Sequence, residues 1–393
     1  FGSSHTGSGI ESQPLLMGGI AAASRRSHRS DAGTKRLILY VAGLLIATAY
    51  LGRQSIARLQ ILPLAARRPL TPTNQKSYLR RFGDEPSAYL NLQEGLRHFE
   101  LLDAGVVSYY SMRLFGRVNL VCTSPVCAPE NVETLLGHFL SEVPGQMIFA
   151  GVNAATARFL RGHGYQTAVL GTDFRIPLKS FRISGGRMKH LRRIRNLHKQ
   201  GLVVREQRWD EVDRAAVRAI SVSWLGSKNG TQKELRALTR PAEFGDEWEV
   251  RKFYIYGPDG GMLGFVFFDP YFRDGRVVGY TANILRSWPG ARPNGLLDFG
   301  VLCALEKFQK EGIEELSLGL SPLHGIRQTS GDDAMLTWVL NKTYELGNDL
   351  YPFKGVASHK LRWRAEQELL YACTKEIDPA RAVLLTLQMT RTI

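Results

Sequence analysis

Between Val277 and Leu323 the chain reads VVGYTANILRSWPGARPNGLLDFGVLCALEKFQKEGIEELSLGLSPL, a succession of strand, turn, helix and strand around which the rest of the chain is organised. β-Branched and aromatic residues fill Val277–Leu285, which predicts a strand. Pro289, Gly290 and Pro293 then turn the chain. Asn294 is placed to cap a helix, and Asp298 falls in its first turns, where the backbone dipole favours a carboxylate. Leu297, Val301, Leu305 and Phe308 follow at steps of four, four and three, one apolar face of that helix. Gly312 stops it, and Glu315–Leu320 resumes as a strand. A helix between two strands is a βαβ-like unit and points to an α/β (α+β) fold.

Upstream, the patterns predict a helix over Tyr89–Leu101, a hairpin of Val106–Phe115 and Val118–Cys122 around Gly116, and a helix over Asn131–Leu140. A strand at Met147–Ala150, a helix over Ala154–Gly162 and a strand at Tyr165–Leu170 follow. A second series begins after Gly201. It runs through a strand at Val203–Glu206, a helix over Trp209–Ala219 and a loop after Ser223-Trp224-Leu225. Phe253–Tyr256 and Met262–Phe268 then form a hairpin turned by Pro258-Asp259-Gly260-Gly261. A hairpin ahead of a helix–strand step thus occurs twice. The chain reads as two tandem units, 86–201 and 202–375, followed by a tail at 376–393.

Charge separates the N-terminal region from these units. Residues 1–83 carry twelve lysines and arginines against two acidic residues, which places +10 of the total +15 in that region. Such asymmetry suits an anionic membrane surface or nucleic acid, and arginine-rich, acid-poor N-termini also occur in transit peptides. Residues 1–36 are rich in Gly, Ser and Ala and are expected to be disordered. Within them Glu11-Ser-Gln-Pro-Leu15-Leu16 matches the form of an acidic dileucine sorting signal. Residues 37–52 are uncharged and apolar, but at ~1.5 Å per residue they span ~24 Å, short of a ~30 Å hydrocarbon core. A short anchor, an interfacial helix and a targeting sequence all fit, and membrane attachment is the reading adopted. Residues 53–85, basic and punctuated by proline, read as a linker. The four cysteines, 122, 127, 303 and 373, lack metal-site spacing and read as buried thiols.

Two further stretches bear on function. Gly185–Leu202 predicts a strongly basic helix ended by Gly201, with Lys189, Arg192, Arg193 and Asn196 on one face. Like charges at these spacings repel, so a compensating anion, such as a phosphate, is expected there. Near the C-terminus stands Leu350-Tyr351-Pro-Phe353-Lys354-Gly355-x-x-x-His359-Lys360-Leu-Arg362-Trp363.

These motifs, in order, resemble the C-terminal synthase domain of bacterial phosphatidylglycerol lysyltransferases. Pro293-Asn294-Gly295-x-x-Asp298-Phe299 resembles that family's P-N-G-x-x-D-F, and Leu318-Gly319-Leu320-Ser321-Pro322-Leu323 its N-L-G-x-[AS]-P-L. Lys189, Leu191, Arg192, Asn196, Gly201 and Leu202 match its G-x-x-x-K-x-L-R-x-x-x-N-x-x-x-x-G-L helix. Trp224-Leu225 matches a W-L motif that precedes site-lining Lys and Glu residues, for which Lys228 and Glu234 are the counterparts. The last stretch resembles L-Y-x-F-K-G-L-x-x-F-K-x-K-F, matching at Tyr351, Phe353, Lys354, Gly355 and Lys360. Departures occur at Asn283, where the family usually has Asp, and at Glu368-Leu-Leu-Tyr371, where it has W-x-P-R-Y.

The resemblance implies two tandem GNAT-like acyltransferase folds and transfer of an aminoacyl group from aminoacyl-tRNA to a hydroxyl of a membrane lipid, phosphatidylglycerol or a sterol. It implies no cofactor beyond aminoacyl-tRNA as co-substrate, and no metal. Asp298, Lys354 and Lys360 become candidate catalytic residues. Asp298 either orients the donor amine, accepts a proton, or simply complements the helix dipole. Lys189, Arg192, Arg193, Asn196, Lys228, Glu234, Tyr280, Arg286, Asn294 and Tyr351 become candidate substrate contacts. Aminoacyl-tRNA would place the catalytic region at a membrane surface facing the cytosol or an organellar matrix. A coenzyme A-dependent N-acyltransferase and a non-catalytic lipid- or RNA-binding relative are the alternatives. Against the first stands the lack of a [QR]-x-x-G-x-[GA] loop, since Arg182-x-x-Gly185 continues with Arg187 at its last position.

Overall fold

A computed structural model describes residues 72–113, 116–228, 233–349 and 351–393. The expectations for 1–36 and 37–52 lie outside these residues. Among the described residues no helix is long and apolar enough to cross a membrane.

The first half comprises α1 (Pro72–Phe82), β1 (Arg97–Leu101), β2 (Gly105–Arg113), β3 (Arg117–Val121), β4 (Val126–Cys127), α2 (Val132–Glu142), β5 (Gln146–Val152), α3 (Ala154–Gly162) and β6 (Gln166–Pro177). The basic helix α4 (Lys189–Arg195) leads into β7 (Val203–Glu206), α5 (Arg214–Gly226), β8 (Arg251–Tyr256), β9 (Met262–Arg273), β10 (Arg276–Ser287), α6 (Leu296–Glu311) and β11 (Glu315–Pro322). The chain ends with α7 (Ala334–Leu346), α8 (Phe353–Leu361), β12 (Glu366–Thr374) and α9 (Pro379–Met389).

The strands form one sheet in the order β1-β2-β3-β5-β12-β6-β11-β10-β9-β8-β7, with β4 on β2. The two halves are fused where β6 pairs antiparallel with β11, from Pro177↔Glu315 to Gly171↔Pro322. Helices cover both faces because the strand residues of both faces are apolar. In the first half, α2 and α3 bury Leu135, Leu136, Phe139 and Leu160 on one face. On the other, α7 and α9 bury Leu336, Leu340, Leu385 and Met389 against Leu120, Ile148 and Leu170. In the second half, α6 packs Phe299, Leu302 and Phe308 against Phe253, Val266 and Phe268, and α5 sets Val217 and Ile220 on Phe265 and Phe267.

The expected segments are redrawn in five places. Residues 72–82 of the presumed linker are the helix α1, whose Tyr78 and Leu79 pack on Val106 and Val126. Its C-terminal end is stitched to the second half, where Phe272 N–H donates to Gly83 O at 2.7 Å. The helix read over Tyr89–Leu101 is a 3₁₀ turn at Ala88–Leu92 and the strand β1, because Gly95 takes φ +79° between them. The helix read over Trp209–Ala219 is a 3₁₀ turn at Trp209–Glu211 and the helix α5, which runs on through Ser223, Trp224 and Leu225 to Gly226. The division at 201/202 cuts through packed structure, since α4 buries Leu191 and Ile194 in the second half's core while β12 enters the first half's sheet. The 376–393 tail holds α9, with Leu385 and Met389 buried.

Candidate active site

The site begins with a failure of pairing. β10 and β11 run parallel and pair only over Gly279–Thr281 with Glu315–Ser317. Past Ser317 the register of β11 shifts, and Gly319 adopts φ +78°, a left-handed conformation that glycine takes without steric cost. Gly319 N–H donates to Ser317 Oγ at 2.8 Å, which fixes this bulge. β10 meanwhile continues to Ser287 alongside β9. The strands part, and a cavity of about 840 Å³ opens between the halves. Leu170 and Asp173 of β6, Asn283 and Arg286 of β10, Leu297 of α6, and His359 and Lys360 of α8 contribute to its walls, most of which are apolar.

One wall carries a fixed polar group. Arg286 is only 2% exposed, and a buried guanidinium needs partners. It donates to Ser221 Oγ and, at 2.7 Å, to Glu234 Oε2, and it stacks over Trp224 with 4.8 Å to the ring centroid. Lys228 Nζ lies 3.7 Å from the same ring. Burial and the neighbouring Arg286 charge both lower the Lys228 pKa. Beside them Asn283 donates to Asp269 Oδ2 at 2.5 Å and accepts from Thr239 at 2.9 Å. Asp269 is in turn clamped by the buried Arg240 at 2.7–3.0 Å. The Asp expected at position 283 would have met the Asp269 carboxylate at this distance, whereas an amide donates to it.

Lys360 stands where the strands part. Its Nζ donates to Gly319 O at 2.8 Å and to Leu320 O at 2.9 Å. Burial pushes its pKa down to about 8, against the pull of the Asp173 carboxylate. Behind α8 lies Asp298, 4% exposed and not part of the cavity wall. It accepts from His359 Nε2 at 2.5 Å and Trp363 Nε1 at 3.3 Å on one oxygen, and from His190 Nε2 at 3.3 Å on the other. Burial raises the pKa of such a carboxyl, but the hydrogen bonds from His359 and His190, and their positive charge whenever they are protonated, outweigh it and hold Asp298 below its ordinary value.

Of the residues singled out in the sequence, Lys228, Glu234, Arg286, Tyr351 and Lys360 converge on the cavity. The other candidate catalytic and substrate-contact residues do not line it. Tyr280 is core, stacked on Phe308 at 4.7 Å. Asn294 is exposed and accepts from Arg292 at 2.6 Å; the N-cap of α6 is Gly295, at φ +90° and with no side-chain cap. Lys354 is exposed, with its Nζ 5.6 Å from the Tyr344 ring centroid. Lys189, Arg192, Arg193 and Asn196 are exposed on α4 and the 3₁₀ turn that follows it, whose opposite face buries Leu191, Ile194 and Leu197. Sequence reasoning missed Ser221, Asp173, His190 and the role of His359. Only His359 left a signal, as the histidine standing where the related motif has Phe.

A second, more polar cavity of about 670 Å³ shares Glu85, Ser87 and Arg175 with the first and adds Asp84, Ser124, Asn153 and Arg158. Burial pushes the Glu85 pKa up to about 7, opposed by hydrogen bonds from Ser124 and Asn153.

A family model described as phosphatidylglycerol lysyltransferase, C-terminal, matches residues 76–374. The structure of L-PGS from Bacillus licheniformis is 17% identical with a TM-score of 0.66, the match covering 82% of this chain and 98% of that one. A C-terminal domain described as lysylphosphatidylglycerol synthetase, from Agrobacterium fabrum, is 18% identical with a TM-score of 0.64, covering 81% and 97%. At these identities the structures establish the shared fold. No curated protein matches the sequence.

Proposed function

The chain belongs to the phosphatidylglycerol lysyltransferase C-terminal family, and from that premise we propose that it transfers an aminoacyl group from aminoacyl-tRNA to a hydroxyl of a membrane lipid. The observation that carries this reading is the cavity at the β10–β11 opening, whose mostly apolar walls hold Arg286, Glu234, Lys228 and Lys360 in fixed positions. A lipid alcohol brings an apolar body and one nucleophilic oxygen. An aminoacyl ester brings an ammonium and an activated carbonyl. The cavity offers a surface to each.

Because the ester is already activated, the protein needs to position two substrates, remove one proton and stabilise one oxyanion. Glu234, locked by Arg286, presents its carboxylate to the donor's α-ammonium. Lys360 uses two of its three N–H groups on backbone carbonyls and keeps one for the oxyanion. Tyr351 forms part of the wall against which the acceptor's apolar body rests. The exposed Lys189, Arg192, Arg193 and Asn196 contact phosphates, of the tRNA or of a lipid head group. The acceptor is phosphatidylglycerol or a sterol, and aminoacyl-tRNA is a co-substrate without a further cofactor. The folded region then works at a membrane surface on the cytosolic or organellar-matrix side.

The test is incubation of the full chain with each radiolabelled aminoacyl-tRNA and a total lipid extract, followed by chromatography of the lipid phase. Labelled lipid with one or a few aminoacyl-tRNAs is the expected result. Transfer from an acyl-CoA alone, or binding of tRNA and lipid without transfer, overturns the proposal. So does protease protection of residues 84–393 inside a secretory lumen.

A further inference from the structure

The transfer needs a group that takes the acceptor's hydroxyl proton, and neither Glu234 nor Lys360 is free to do so. Glu234 is tied to Arg286, and Lys360 is placed as a donor. We propose that His359, oriented by Asp298, is the catalytic base of the reaction described above, on which this assignment rests.

His359 has the required position. It is the residue before Lys360 on α8, its side chain is 39% exposed, and it lines the cavity from which Asp298 is excluded. It also has the required orientation. Its Nε2 is 2.5 Å from Asp298 Oδ1, so the ring proton sits on Nε2 against the carboxylate, and Nδ1 carries a lone pair. No hydrogen bond to Nδ1 is made among the described residues. The supporting carboxylate is itself fixed from three sides, by His359, by Trp363 of the same C-terminal segment and by His190 of the basic helix. A carboxylate this buried and this fully accepted cannot rotate to meet a substrate amine, so its remaining chemical use is to hold the imidazole. The charged partner on the His359 ring is thus Asp298 of α6, whose other oxygen accepts from His190, while Lys360, next on α8, turns to the Gly319 and Leu320 carbonyls.

The step balances. His359 Nδ1 takes the proton as the acceptor oxygen attacks the ester carbonyl carbon. Negative charge collects on the carbonyl oxygen, beside Lys360. The intermediate collapses by breaking the bond to the tRNA ribose oxygen, which leaves with the proton carried by His359. Base and oxyanion donor thus come from consecutive residues, and the family pattern, with Phe at this position, does not contain the base.

The experiment compares wild type with His359→Phe, His359→Gln and His359→Ala in the full chain, assayed for transfer from aminoacyl-tRNA to extracted lipid. The expected result is a fall in kcat of ~10²-fold or more in all three, with KM for aminoacyl-tRNA nearly unchanged. Added imidazole should restore part of the rate to His359→Ala and none to His359→Phe. His359→Gln keeps an N–H for Asp298 and serves where the other variants lose their fold. Wild-type rates in His359→Phe or His359→Gln overturn the base assignment alone. A wild-type protein inert towards every aminoacyl-tRNA overturns the proposed function, and the base with it.

Discussion

Each half of the sheet contains a strand–helix–strand step, and the two steps end differently. Between β5 and β6 the C-terminal strand β12 is inserted, antiparallel to both, from Thr374 opposite Ile148 and Gln166 to Tyr371 opposite Val152 and Val169. Between β10 and β11 no strand is inserted, and the pair separates after three residues. The helices follow suit. At the start of α3, Asn153 accepts from Thr156 N–H at 2.8 Å, so its N-terminus is capped by a side chain, whereas α6 starts at Gly295 without one. One half spends its opening on strand pairing and gains a closed core. The other keeps it, and Leu297 of α6, Arg286 and Lys360 line the resulting cavity. The repeat is therefore unequal: the first half supplies a closed core and a wall that includes Asp173, and the strand opening of the second half carries Arg286.

The largest effect that would break this comparison is loss of Arg286. Arg286→Met removes the partner of Glu234 and the group stacked on Trp224, and transfer should fall by ~10²–10³-fold, the range for loss of a fixed active-site donor. In the sealed half, Thr156 of α3 carries a buried hydroxyl without a hydrogen-bond partner among the described residues, and it does not line the cavity. Thr156→Val should leave transfer unchanged and stability the same or slightly higher. Lipid-transfer rates and melting curves of both variants check this. A rate loss in Thr156→Val comparable to that in Arg286→Met would mean that the two halves share the chemistry.

A second test uses pH. If Lys360 acts as a charged donor, transfer falls as pH rises through about 8, where its ammonium deprotonates. Lys360→Arg, charged throughout, should lose that limb, and Lys360→Met should be ~10²-fold slower on the acid side of it. Stability runs the other way. The folded state binds its proton less tightly than the unfolded chain, so the unfolded chain holds more protons between about 8 and the ordinary lysine value near 10.5. Stability from this group therefore rises with pH across that window, and below about 8 the full cost of burying the ammonium remains. Rate and melting temperature measured from pH 7 to 10.5 on wild type and Lys360→Met separate the two trends.

The basic helix gives a smaller effect, in affinity instead of rate. Neutralising Lys189, Arg192 and Arg193 together should weaken tRNA binding and reduce the salt dependence by up to ~3 phosphate contacts. Binding titrations at several salt concentrations measure this. An unchanged slope would assign the exposed face of α4 to the lipid surface or to solvation.

How much of this was legible depends on how local each cause is. Val203–Glu206 and Ala154–Gly162 fall where the patterns put them, because alternation, helical period and glycine stops are written within a few residues. Lys228, Glu234, Arg286, Tyr351 and Lys360 were nameable from motifs and do converge. The insertion of β12 was not, since nothing in Glu366–Thr374 says which gap in a sheet it will fill. Nor was the state of Asp298. Its histidines lie 61 and 108 residues away in the chain, and no spacing rule connects them. Tyr280 misled for the opposite reason, as an aromatic in the right strand whose alternation faces the core.

The smallest predicted difference tests the helix starts directly. By sequence, Asn153 and Asn294 look alike, each a polar residue ahead of an apolar-periodic helix. In the fold only Asn153 caps, and it also donates to Glu85. Asn153→Ala should cost about 1 kcal/mol or somewhat more, the ordinary value of a lost cap. Asn294 is exposed, bonded to Arg292 two residues away, and separated from the helix by Gly295. Asn294→Ala should therefore stay within about 0.5 kcal/mol of wild type, like other exposed substitutions. Urea unfolding of the two variants decides it, with the denaturant slope checked to be unchanged. Equal losses would mean that Asn294 caps α6 after all. The open start of the helix, and with it the asymmetry between the halves, would then need another explanation than the glycine at position 295.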